Sequence, residues 1–451
     1  IDGLSDCLVE NDSIWLGNDP SGTTSTASYC IGIGTTALDA ITTGDNNIAI
    51  GYGAMDATTS GYDSIAIGTN ALGGQTTGGY KNIMIGTSAG LVCDSAINVG
   101  IGYEAMKATT TGNLNVAIGG SALLTNTSGA ELVAVGYEAL KLNAGGVRLT
   151  AVGYGALKTT SSATDSTAVG YNALTLATAS YNTAVGTLAL TANTTGHTCT
   201  AVGYNTLAAN TTALYNTALG GKAMDATTTG SSNVAVGYDA LGKNVSDVAN
   251  TAVGYACMED ANGSGFCTAM GYAAGKDLTT GDNNLCLGYN AGASASPSGT
   301  LTTESNEICL GDSSISQAHI QVDWTVASDQ RDKTDFTALD VGLDFVKALE
   351  PVTYKWDKRS KYAEEGDDLD TVTHDGTHKE DWLDIGFKAQ EVEALEIAAG
   401  YNKSNKTNLT TTLTSDGKQY GIQYSKFVPI LVKAIQELSA EVEELKAKLE
   451  E

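Results

Sequence analysis

The stretch VDWTVASDQRDKTDF, Val322 to Phe336, sets a serine, an arginine and a lysine close together. A serine hydroxyl is a poor nucleophile until a base takes its proton, and a lysine withdrawn from water can be that base. Ser328 and Lys333 therefore carry the ingredients of acyl transfer, while Asp329 and Arg331 suit a role in holding the turn between them. By spacing alone such a pair is usually coincidence. Its meaning depends on what surrounds it.

Those surroundings change abruptly here. From Ser328 to Glu451 the chain holds 26 acidic and 16 basic residues, whereas the preceding 327 positions hold 25 acidic and 8 basic ones. The formal net charge is -27, and a first part so poor in Lys and Arg cannot neutralise phosphates, which argues against nucleic acid as a partner. No run of about 18 apolar residues occurs, so no membrane insertion is expected. The opening IDGLSDCLVE reads as the inside of a longer polypeptide or a processed start. The 8 cysteines show no CxxC pair and no zinc spacing. Cys257, Cys286 and Cys309 stand where the repeat has alanine, so buried thiols are expected, with no metal and no cofactor.

Before the switch one phrase recurs. NNIAIGYGAM, from Asn46, returns as NVAIGGSAL, STAVGYNAL, NTAVGTLAL and NVAVGYDAL. Its glycine runs from Gly17 through Gly34, Gly51 and Gly68 to Gly288, in steps of 17 with slips to 16 or 18, and Gly311 closes the series. Fixed periodicity of this kind marks a stacked, quasi-one-dimensional fold. Each unit reads as a short strand, x-Ala-Val/Ile-Gly, then a turn with Ala-Leu or Ala-Met, then a polar return. The alanines permit close backbone approach, and the Val/Ile and Leu/Met positions are expected to fill one continuous stripe. With aromatics at 6%, that stripe is thin for a single chain, and three chains about a common axis would cover it. One layer per strand spacing gives a rod of roughly 80 Å.

Two ladders run through the repeats. Asparagine four before the glycine, as at Asn47, Asn115, Asn182 and Asn250, can hydrogen-bond from layer to layer. Tyrosine follows the glycine in ten repeats, Tyr154 and Tyr171 among them, and reads as a shell of rings with wet hydroxyls rather than a sugar platform. No turnover enzyme is legible. His197 has no partner at a useful spacing, no paired carboxylates mark a polysaccharide cleft, and TTGDNN lacks the terminal glutamate of a calcium loop.

After Ser328 the text is ordinary globular sequence. TALDVGLDFVKALEPVTYKW reads as a helix ending near Leu349, then a strand with Tyr354 and Trp356. WLDIGFKAQEVEALEI reads as a strand turning into a helix, and Ala363 to Asp381 as an acidic, turn-rich loop. Leu431, Ile435, Leu438, Val442, Leu445 and Leu449 follow at steps of 4 and 3, an a/d heptad seam flanked by Glu and Lys. So strict a seam fits a coiled coil over about 427–451 that joins copies of the chain better than a helix packed on its own domain.

SDQRDKTDF, LEPVTYKW, DIGFKAQEVEAL and YGIQYSKFVPILVKAIQELSAEVEELKAKL together resemble the C-terminal intramolecular chaperone, auto-processing domain of phage tail fibres and tailspikes, the type first associated with endosialidases. The resemblance covers Ser328 to Glu451 and departs from the family mainly in the long acidic loop. More weakly, the Ala-Val-Gly repeats are similar to those of trimeric phage fibres and bacterial trimeric adhesin heads. The resemblance implies that the domain trimerises the chain, that the fibre folds on it, and that it then cuts itself off once, in cis. Carried onto this sequence, the scissile bond is Ala327–Ser328, with Ser328 the nucleophile and Lys333 the general base.

The expectation is therefore mainly β. A homotrimeric stacked β-solenoid or β-prism shaft spans 1–311, a junction 312–327, and a small α+β chaperone domain 328–451. Such a protein would be an extracellular, virion-type tail fibre binding a host surface receptor, a glycan among the candidates. The alternative is a bacterial trimeric surface adhesin with a retained C-terminal trimerisation cap.

Overall fold

Each repeat places three residues in a strand whose middle side chain is sealed and whose neighbours are not, as in Thr200–Val202. The computed structural model describes residues 7–17, 26–76, 78–294, 296, 298–321, 326–362, 371–402, 407, 409–414 and 417–450. They form two compact units. The first runs to Leu285 and takes in Ser305–Glu307; the second comprises Cys286–Glu304 and Ile308 onward.

The first unit is a β-solenoid. It opens with β1 (Cys7–Glu10), antiparallel to β2 (Ser13–Leu16). From β2 and β3 (Ile31–Ile33) to β17 (Thr268–Met270), sixteen strands pair in parallel, each with the next. Register is kept throughout: Ala201 lies beside Ala184 and Ala218. It survives the slips in length, because Thr167 pairs with Thr183 and Ile65 with Ile83. The odd residue is taken up outside the strand.

One coil shows how the chain closes. Thr200 donates its N–H to the Asn216 carbonyl, Leu207 to Ala223, Ala209 to Asp225 and Thr211 to Thr228, so bonds reach the next coil around the perimeter. In most coils three residues take left-handed backbone without being glycine, here Asn205 (φ 56°), Leu207 (φ 51°) and Tyr215 (φ 59°). Elsewhere a glycine such as Gly53 or Gly155 takes one of the three places. Each such non-glycine residue costs about 1 kcal/mol or more. A lone coil is therefore strained, and only its neighbours hold it.

The interior corrects one expectation. Alternation does operate, but the residues turned inward are Ala201, Leu207 and their equivalents, all fully buried, while the Val/Ile positions of the strands face out and are half-exposed. The lumen takes mostly alanine on the strand because leucine or methionine from the turn fills the opposite side, and the larger Trp15 and Met84 enter it only beside glycine, Gly32 and Gly100. The single chain thus covers its own Ala–Leu/Met stripe, and the need to cover that stripe is no argument for three chains.

The asparagine ladder is real and buried. Asn216 Nδ2 donates to the Gly230 carbonyl at 2.7 Å, and its Oδ1 accepts the Asn233 N–H at 2.9 Å. The bonds run from amide to backbone rather than between side-chain amides. A second ladder, overlooked in the sequence, does join amides: Asn143 Nδ2 donates to Asn126 Oδ1 at 3.1 Å and Asn210 to Asn193 at 3.0 Å. Outside, tyrosines stack as expected, Tyr154 on Tyr171 at 5.3 Å and Tyr255 on Tyr272 at 5.1 Å. Cys30, Cys93, Cys199, Cys257 and Cys267 are buried thiols. Burial pushes the Cys257 thiol up to about 12.

Among its described residues the second unit holds three α-helices, α1 (Leu343–Ala348), α2 (Ala389–Ala398) and α3 (Phe427–Glu450). Two antiparallel pairs accompany them, Val352–Tyr354 with Asp384–Gly386 and Thr411–Leu413 with Tyr420–Ile422. Val341, Phe345, Val392, Phe427 and Ile430 form its core. α1 is shorter than the sequence suggested, starting after Gly342, where Glu437 of α3 accepts the Leu343 N–H at 2.7 Å. Trp356 lies beyond its strand and donates to Asp384 at 3.3 Å. The hairpin around 411–422 went unread because its threonines looked like loop.

Candidate functional site

A single 3-10 turn, Gln330–Asp332, folds the chain back on itself immediately after Ser328. Asp329 caps it, its carboxylate accepting the Arg331 N–H at 2.9 Å. The same carboxylate takes the Arg331 guanidinium at 2.6 Å, and that guanidinium holds the Asp329 carboxyl below its ordinary range. The turn closes with Lys333 N–H donating to the Gln330 carbonyl at 3.2 Å. Past it, the Lys333 side chain returns to the start: its Nζ lies 2.5 Å from Ser328 Oγ.

Sequence reasoning paired these residues by type, and the structure brings them into contact. Asp329 and Arg331 pair with each other across the turn. Ala327, Ser328 and Lys333 are exposed, so water reaches the pair in the single chain. Val322–Thr325 of the opening stretch lie outside the described residues, as do residues 363–370 of the acidic loop.

The heptad seam belongs to α3, which has two apolar faces. Phe427, Ile430 and Ala434 are buried in the domain. Leu431, Ile435, Leu438, Val442, Leu445 and Leu449 are 40 to 86% exposed. Ion pairs flank them, Lys433 with Glu437 at 3.1 Å and Lys446 with Glu443 at 2.9 Å. No helix among the described residues is long and apolar enough to cross a membrane.

One buried charge escaped the sequence reading. Glu396 of α2 accepts four hydrogen bonds, from the N–H and hydroxyl of Thr410 at 2.7 and 2.6 Å and of Thr411 at 3.1 and 2.5 Å. Burial pushes its carboxyl up, but these donors outweigh burial and hold it below the ordinary range. A folded-state value below the unfolded one means stability that is present above about pH 4.3 and is lost as pH falls through the lowered value. Glu396→Gln should destabilise this unit by about 2 kcal/mol at neutral pH and flatten its acid denaturation, read by melts between pH 3 and 7. An unchanged acid limb would remove Glu396 from the account. The signal available in sequence was the Thr-Thr pair beside a helix glutamate in an apolar frame.

Fold and site together define a mainly β protein, a solenoid of about sixteen turns with a small helical domain after it. Residues 328–401 match the family model described as chaperone of endosialidase. That match begins at Ser328 itself and includes α1 and α2. With the solenoid, it fits a tailspike- or endosialidase-type protein carrying a C-terminal chaperone domain. No curated protein and no solved structure gives a significant match.

Proposed function

We propose that the chain is an extracellular, virion-type fibre for host attachment, whose C-terminal domain joins three copies, templates the solenoid and then cuts itself off. The observation that carries this reading is the 2.5 Å contact between Ser328 and Lys333 at the first residue of the matched family segment. Ser328 Oγ attacks the Ala327 carbonyl while Lys333 takes the hydroxyl proton and passes it to the Ser328 nitrogen. The peptide bond opens, leaving an ester between Ala327 and Ser328 Oγ. Water hydrolyses that ester to a carboxylate on Ala327 and a free hydroxyl on Ser328.

An exposed lysine is a poor base, so the dyad needs a neighbouring copy to shield it. Assembly through the α3 seam would then precede the cut. A Leu438→Asp/Val442→Asp chain should run as a monomer in light scattering and stay uncut by mass spectrometry. A cut monomer would remove assembly from the mechanism.

Strain explains why a template helps. The first coil to form carries its left-handed residues with no partner, so initiation is slow while addition is fast. Residues 1–327 produced alone should collect in the insoluble fraction, whereas the full chain yields soluble, protease-resistant shaft. Equal yields of resistant shaft from both would sink the chaperone role.

A further inference from the structure

Along the solenoid, the side chains flanking each buried strand alanine form two parallel rows. From Ile31 and Ile33 through Ile65 and Ile67 to Val133 and Val135, both rows are wholly Ile or Val. From Thr150 and Val152 onward one row turns mainly to Thr and the other stays Val, Leu or Met. No charge interrupts either row between Ile31 and Met270, in a chain of net charge -27. Ile118, Val133, Leu219 and Met270 are each more than a third exposed. Ion pairs of this unit lie on the turns and returns instead, Arg148 with Asp165 and Lys158 with Glu138 among them.

We propose that this strand face is the surface on which copies of this chain meet, leaving the tyrosine row and the threonine returns in water. The inference rests on the reading of self-assembly above and adds which face performs it. Three features point to a second copy rather than another protein. Sixteen rungs at about 4.8 Å, each about 10 Å wide, make a strip of roughly 750 Å² per chain. A standard stable interface takes about 800 Å² from each partner. The rows repeat at one pitch over their whole length, and another copy presents the same pitch, so side chains interlock rung by rung. The exposed α3 seam supplies a second self-complementary apolar strip in the same chain.

The test is cysteine cross-linking of the full-length chain. In a Cys7→Ser background, Ile67→Cys and Val135→Cys report the strand face, and Tyr154→Cys and Thr211→Cys report the tyrosine and threonine faces. A short bismaleimide should shift most Ile67→Cys and Val135→Cys chains to dimer mass and leave Tyr154→Cys and Thr211→Cys chains at single mass. The buried native thiols stay unreacted, which the background chain alone verifies. Cross-links from the tyrosine or threonine face, or from none of the four in a protein that scatters light as an oligomer, would overturn the face while sparing self-assembly. Light scattering at monomer mass would overturn both.

Discussion

Ser328→Ala should leave the chain at one full-length mass under denaturing conditions, where the unaltered chain yields two fragments ending at Ala327 and beginning at Ser328. The whole effect rests on one oxygen. Alanine at 328 preserves the backbone and leaves the Asp329–Arg331 clamp in place, because the clamp uses the aspartate side chain and the arginine. Fold and assembly should therefore survive. Lys333→Met tests the partner: it keeps an apolar stem of similar length and removes only the amine, so cutting should slow by roughly 10²–10⁴-fold. Arg331→Ala should slow it less, since the guanidinium reaches Asp329 and not Ser328. Full cutting in Ser328→Ala would exclude the dyad, and a single mass in every variant would leave the domain a permanent cap.

The second large effect falls on the solenoid. Gly136 and Gly170 end their strands at φ 137° and 139°, backbone that residues with a Cβ rarely adopt. A Cβ on either would stand 2.4 Å from the carbonyl oxygen of the glycine one coil on, Gly153 or Gly186. That oxygen is backbone and cannot rotate away. Gly170→Ala should thus destabilise the solenoid by about 3 kcal/mol or more, through strain and clash together. Gly145→Ala is the control, because its nearest neighbour is the Ser128 hydroxyl at 3.3 Å, which can turn aside. Thermal melts of the two should differ widely. Similar melting temperatures would mean that the coils yield to an added methyl group, and that the glycine row is not what fixes their contact.

Much of this was legible in sequence, because a repeat states its own answer many times. The glycine period gave the strand positions, and the asparagine and tyrosine rows gave two of the ladders. The facing of the strand was misjudged for a physical reason. Period two says that Ala and Val point opposite ways, and it does not say which way is in; a narrow lumen, filled from the far side by Leu207 and its equivalents, decided for alanine. In the second unit, no repetition helped. Residue types at 328 and 333 suggested a pair, but contact needed the Asp329-capped turn, whose geometry no spacing rule supplies. The 411–422 hairpin and its buried anchor Glu396 depend on contacts between segments 14 and 15 residues apart, which composition does not show.

The tolerance of the ladder to 16- and 18-residue spacings, with Thr167 still beside Thr183 and Ile65 beside Ile83, makes the coil a modular part. One repeat can be gained or lost without disturbing those on either side, because each touches only its two neighbours. Length then becomes a digital variable, adjusted in increments of about 4.8 Å. A molecule of this type can be lengthened or shortened to reach a fixed distance while its cross-section, its chemistry and its terminal domain stay the same.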